Sequence, residues 1–214
     1  MVFFRRLAAP ALALAPLILS LHCGGGAKDP AAPAPGRKQL ACAERIQEHS
    51  EWCWAASSAS ILTCLGTPVQ PCEVVNQVRN ITYACGNPTF AWADTTANGP
   101  IEALYGPAPS VSTLMGHYGH PGTGRASALT FAQAQAEIDA GRPFFVNWAW
   151  SSGGGHILAG MGWDTSAGEE ELILMDPWPN EGIKVVSYAW AVSGADPGGG
   201  GGTHTWKWTL TVNP

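Results

Sequence analysis

At 214 residues, 46% of them hydrophobic and only 13% charged, the chain is long enough for one good core or for two lobes sharing a cleft, and too short for a string of separate domains. Eleven Lys and Arg against 16 Asp and Glu leave a net charge of −5 with no basic run beyond the N-terminus, so no surface for nucleic acid is expected. Six cysteines behind an export-like N-terminus point to an oxidising compartment in which disulfides persist.

The chain opens with Arg5 and Arg6 and a mostly apolar run from Leu7 to Leu21, interrupted by Pro10 and Pro16. A bilayer span needs about 20 apolar residues, so residues 1–22 read as a signal peptide. Cys23 and the following Gly24, Gly25 and Gly26 resemble a bacterial lipoprotein processing site, although Ser20 and His22 depart from its usual pattern. Export ends either in a lipid anchor at Cys23, the chain's one expected contact with a membrane, or in secretion or periplasmic release. Residues 23–38, rich in Gly, Ala and Pro, read as a tether too short to form an inhibitory pro-domain. Residues 39–214 are then the working domain.

Within it, a polar run from Gln47 leads to Cys53 and a helix expected over Trp52–Leu65, stopped by Gly66. Pro71–Val78 reads as a second helix with Pro at an early position. Residues 86–129 are turn-rich, with short helices expected near Ile101–Tyr105 and Ser112–Tyr118. Thr130 caps a helix over Phe131–Ala140 that Gly141 ends. Strands are then expected at Pro143–Trp150, His156–Trp163, Glu171–Met175 and Ile183–Tyr188. After a flexible Gly198–Gly202 connection, Thr205–Val212 alternates as a half-buried antiparallel strand. Helix in the first half, sheet in the second and no internal repeat give an α+β fold.

Cys53 falls in the first turn of its helix, where unpaired N–H groups and the positive end of the helix dipole favour a thiolate nucleophile. A buried structural cysteine is the plain alternative. Gln47, six residues upstream, is placed to supply a side-chain N–H that joins the Cys53 backbone N–H in an oxyanion hole. His156 follows three glycines at the mouth of an apolar strand, where an imidazole can serve the thiol as base, or can simply be a surface histidine. Asp176 closes the next strand and can orient that imidazole, or can be a turn aspartate before proline. His117 and His120, with His49 and His204 elsewhere, raise a metal site, but no cysteine pair of zinc-finger spacing accompanies them. Neither a metal nor a cofactor is expected.

Gln47, Cys53, His156 and Asp176 in that order, the Cys53-Trp54-Ala55 helix start, the Gly154-Gly155-His156 strand start, and Trp178 two residues after Asp176 together resemble the papain-like cysteine proteases. The run Trp52 to Ser57, the segment Ile138-Asp139-Ala140-Gly141-Arg142-Pro143 and the Asp176-Pro177-Trp178 turn are closer to the compact bacterial branch, which includes plant-pathogen effector proteases and bacteriocin-leader peptidase-like domains. The resemblance covers most of residues 40–190. It implies a two-lobed fold, with Cys53 on a helical lobe, His156 and Asp176 on an antiparallel β lobe, and a peptide or protein substrate held between them by a monomer. His156 would pair with Cys53 and then protonate the leaving amine, Asp176 would fix the imidazole tautomer, and Trp54 and Gly155 would support the cleft. Trp178 would shield the His156–Asp176 bond from water, or be a core tryptophan.

Cys42, Cys64, Cys72 and Cys85 remain as disulfide candidates, open to three pairings. Cys64 lies eleven residues beyond Cys53 on one helix, about 16 Å along it, too far to bridge Cys53. Two disulfides clamping the helical lobe are expected. The expected activity is that of an exported cysteine peptidase. The same residue order also serves amidases and acyl or amide transferases, and a silent lipoprotein binding module is a third reading. Trp52, Trp54, Trp148 and Trp150 would line either a substrate groove or a partner surface.

Overall fold

The computed structural model describes residues 36–86, 94–196 and 202–214. The expected signal peptide, Cys23, most of the tether and most of the Gly198–Gly202 connection lie outside them.

Five helices and eight strands follow one another as β1 (Arg37–Gln39), α1 (Cys53–Cys64), α2 (Pro71–Arg79), α3 (Val111–His117), β2 (Gly122–Arg125), α4 (Phe131–Asp139), β3 (Phe144–Trp150), β4 (Gly155–Asp164), β5 (Glu171–Asp176), β6 (Gly182–Ser187), α5 (Tyr188–Val192), β7 (Ser193–Ala195) and β8 (Thr203–Val212) among the described residues. All the strands join one antiparallel sheet ordered β2-β8-β3-β4-β5-β6, with β1 on β4 and β7 on β8. Mixed helix and antiparallel sheet is the expected class.

Side chains on a strand alternate between faces, so a sheet covered on both sides reads as continuous apolar runs. β3 and β4 are such runs. Phe145, Ile157, Ala159 and Leu210 meet α1, α2 and α3 through Trp54, Ile61, Val74 and Met115. The alternate residues Phe144, Val146, Leu158 and Trp206 meet α4 through Phe131, Ala134 and Ile138. Gly160, opposite Phe144, has no side chain because a Cβ there would run into the Phe144 ring.

α1 is rich in small residues and buried from Trp54 to Leu62. Its serines are buried because each hydroxyl has a carbonyl to bond: Ser57 Oγ donates to Ile157 O at 2.8 Å, Ser58 Oγ to Trp54 O and Ser60 Oγ to Ala43 O, both at 2.7 Å. Disulfides join Cys42 to Cys64 and Cys72 to Cys85, and Cys53 is free. Among the described residues no helix is long and apolar enough to cross a membrane.

Several expectations need correcting. Residues 101–105 form no helix: Pro100 precedes them and Gly106, Pro107 and Pro109 follow, which leaves too short a stretch to pass the nucleation cost of a helix. The segment is instead pinned by Ile101 and Leu104, both buried. Arg37 and Lys38, expected in the tether, pair with Asp164 and Trp163 of β4. The strand expected to run to Tyr188 stops at Ser187, whose hydroxyl caps α5 by accepting from Trp190 N at 3.2 Å.

Candidate active site

Cys53 is the first residue of α1, and the helix has no side-chain cap at its N-terminus. First-turn N–H groups that no cap satisfies are available to an anion. A cleft of about 1170 Å³ opens there, lined by Cys53, residues 101–105, His156, Asp176 and Trp178.

His156 stands at the start of β4 and Asp176 at the end of the neighbouring antiparallel β5. His156 Nε2 donates to Asp176 Oδ1 at 2.7 Å, and both side chains are buried. Burial, the largest influence on the imidazole, disfavours its charge, but hydrogen bonding to Asp176 and Cys53 and their charges outweigh it, so the His156 pKa is pushed up to about 10. Burial likewise disfavours charge on Asp176, and is outweighed by the hydrogen bond and charge of His156 together with Lys184, which bring the carboxylate down to about 2. The result is a carboxylate–imidazolium pair beside the Cys53 thiol, with Nδ1 the ring nitrogen left for sulfur.

Asp176 has two further donors. Trp178 N donates to Oδ1 at 3.0 Å and Lys184 Nζ to Oδ2 at 2.7 Å. Lys184 Nζ also bonds Glu181 Oε2 at 2.8 Å, and these partners hold the ammonium above its ordinary range against the opposing effect of burial. Sequence reasoning missed Lys184. The available signal was its place eight residues after Asp176, across the β5–β6 hairpin.

The Trp178 ring stands edge-on to His156 with centroids 6.4 Å apart and is 50% exposed. It is therefore no core tryptophan. Trp52 and Trp54 are fully buried, so the groove expected of four tryptophans loses Trp52, and Trp54 reaches the cleft only from within the core. Trp148 is buried under His204, whose ring stacks on it at 3.8 Å while Nε2 donates to Trp190 O at 2.8 Å. Gly155 lines the cleft.

Gln47 is buried and does not line the cleft. Its Nε2 donates to His49 O at 3.0 Å and Ser50 O at 2.8 Å, fastening the loop that leads into Cys53, while its Oε1 has no partner among the described residues. Both amide hydrogens are thus engaged away from the thiol.

Among the described residues no group of three or more His, Cys, Asp or Glu side chains is gathered to hold a metal. His120 bonds Asn213 O at 3.2 Å and His117 approaches Gln77 at 3.5 Å. His49 packs on Trp52.

A free thiol at an uncapped helix start, beside an imidazolium–carboxylate pair on an antiparallel sheet, has the groups that thiol-dependent acyl transfer requires. The model of the Peptidase_C39-like family matches residues 35–194, and the chain belongs to that family. It is accordingly a cysteine-type peptidase of papain-like fold. Among solved structures it is similar to the peptidase domain of Streptococcus ComA, a bi-functional ABC transporter involved in a quorum-sensing pathway, at 12% identity and a TM-score of 0.49, covering 83% of this chain and 98% of that one. It is also similar to a double glycine motif protease from an AMS/PCAT transporter, solved in complex with the leader peptide, at 14% identity and a TM-score of 0.44, covering 83% of this chain and 94% of that one. No curated protein matches the sequence.

Proposed function

We propose that the chain is an exported peptidase that hydrolyses peptide bonds through a thioacyl intermediate on Cys53, with His156 as base and acid and Asp176 as its orienting group. The observation that carries this reading is the shared imidazole: His156 is bonded at 2.7 Å to Asp176 and acted on by Cys53, at the start of a helix that no side chain caps.

The α1–α3 side and the sheet side act as two lobes, and the substrate peptide lies in the cleft between them. Cys53 Sγ, as the thiolate whose proton His156 holds, attacks the scissile carbonyl carbon, and the oxyanion is met by the Cys53 backbone N–H and by Gln47 Nε2, which leaves the Ser50 carbonyl to do so. The unpartnered Oε1 supports this, because nothing holds the amide on that side. The His156 imidazolium protonates the departing amine as the C–N bond breaks. His156 then takes a proton from water, whose oxygen attacks the thioester, and keeps it as the Cys53 thiolate departs and the acid leaves, which restores the starting pair. Asp176 holds the ring in place throughout, and Trp178 restricts water at their hydrogen bond.

Residues 1–22 direct export and are removed, Cys23 carries a lipid, and the residues between Cys23 and β1 tether a monomeric catalytic domain to the envelope. The two disulfides support an oxidising destination. Incubating a proteome-derived peptide library with the wild type, Cys53→Ala and His156→Ala, and reading new termini by mass spectrometry, tests the activity. New termini from the wild type alone are expected; a wild type that acylates Cys53 yet yields none contradicts hydrolysis.

A further inference from the structure

β3 reads Phe144-Phe145-Val146-Asn147-Trp148-Ala149-Trp150, and one residue breaks its apolar pattern. Asn147 falls on the same sheet face as Phe145, opposite Ile157 of β4, where alternation calls for another apolar side chain. It is 5% exposed, and it lines the cleft, where its side-chain amide is open to a ligand rather than sealed in the core. A polar side chain set into an apolar strand face at the wall of a cleft, where burial favours apolar residues, calls for an explanation.

Two features aim that amide outward. The β3–β8 register shifts between Asn147 and Trp148, and an irregularity of this kind re-aims a side chain beside a site. Gly155, immediately before His156, leaves the approach open: a Cβ there would lie 3.3 Å from Asn147 Oδ1 and 2.7 Å from Trp148 O. Asn147, Gly155, Ile157 and Leu104 all line the cleft. Together they give one bifunctional polar group among apolar neighbours in the cleft that also holds His156.

We propose that Asn147 is a specificity-determining residue, whose amide hydrogen-bonds an uncharged polar side chain, an amide or a hydroxyl, at one substrate position flanking the scissile bond. The amide offers both a donor and an acceptor, which matches Asn, Gln, Ser or Thr. Apolar Ile157 and Leu104 exclude a charged side chain, whose burial goes unpaired. A purely apolar side chain leaves the amide unbonded, the circumstance in which discrimination is strongest. This inference rests on the peptidase reading of the cleft.

The test compares the purified wild type with Asn147→Val, a substitution that restores the apolar alternation. Wild-type cleavage sites in a peptide library should be enriched in Asn, Gln, Ser or Thr at one flanking position. In Asn147→Val, kcat/KM for those peptides should fall at least ~10-fold and that for Val or Leu counterparts should rise, with Tm unchanged or higher. An identical cleavage profile, or a lowered Tm, overturns the proposal, the latter because Asn147 would then serve the fold. Capture of the same library by Cys53→Ala and by the Cys53→Ala/Asn147→Val double variant separates this from catalysis. Enrichment of the polar peptides by the first and its loss in the second sustains the Asn147 contact even where no peptide is cut, in which case only the peptidase reading fails; equal capture by both overturns the contact.

Discussion

Asp176 meets three demands at once: it accepts from His156 Nε2 and from Trp178 N through Oδ1, and from Lys184 Nζ through Oδ2. An asparagine cannot do the same. Turning its oxygen toward His156 and Trp178 sets its NH₂ against the Lys184 ammonium, which is 19% exposed and left with Glu181 alone. Removing one partner of a buried charge pair leaves an uncompensated charge. Asp176→Asn should therefore lower stability by about 2–3 kcal/mol, and Asp176→Asn/Lys184→Met should recover more than half of that loss. Denaturant titration of the single and double variants checks it; additive losses would mean that the two groups do not act as a pair. The carboxylate was legible in the sequence because it closes an apolar strand before a proline. Its lysine was not, because a charge at mid-strand in β6 looks like any solvated face. Asn147 was passed over for the opposite reason: one polar residue in an apolar run does not disturb a strand assignment.

α1 presents Cys53 and Ser57 four residues apart, hence on one face of the helix. Ser57 Oγ bonds the carbonyl of Ile157, the residue after His156. One buried hydrogen bond thus ties the turn that carries the thiol to the strand that carries the imidazole. Ser57→Ala should lose about 1–2 kcal/mol of stability and, by loosening the Cys53–His156 approach, lower kcat by about tenfold. Thermal melts and single-turnover kinetics measure the two effects, and an unchanged kcat would remove Ser57 from the positioning of the site. Elements of this length and pattern were readable: α1 from its stop glycine, α4 from its Thr130 cap, β3 to β5 from apolar runs bounded by glycine and turn residues. β1, β2, β7 and α5 were not, because segments of three to five residues carry no period. Ile101–Tyr105 misled because buried Ile101 and Leu104 have helical spacing, while the flanking prolines decide the backbone.

At the scale of the molecule, one sheet separates two apolar cores, and the proposed machinery sits where the α1 core meets the sheet. Burying a charged pair there makes stability depend on pH. Asp176 is depressed from 3.8 to about 2, so its contribution is complete above 3.8 and is lost as the pH falls through about 2. His156 is raised from 6.5 to about 10, so its contribution is complete below 6.5 and is lost as the pH rises through about 10. The stability gap between the wild type and His156→Gln should thus be widest between pH 3.8 and 6.5, at about 2–4 kcal/mol, and should narrow toward both extremes. A gap that widens toward pH 9 would contradict the charged pair. The α+β class and the order of the candidate residues were visible in the sequence, but their meeting in one cleft was not, since Cys53 and His156 are brought together only by the crossing of a helix and a strand a hundred residues apart. The central claim is that these two residues act as one nucleophilic unit. Its most direct measurement is the rate of Cys53 alkylation by iodoacetamide from pH 4 to 9, in the wild type and in His156→Ala, read on the modified peptide by mass spectrometry. Rapid alkylation below pH 6 that disappears in His156→Ala is the predicted result. A Cys53 that reacts only above about pH 8, as an ordinary thiol does, and does so with or without His156, would contradict it.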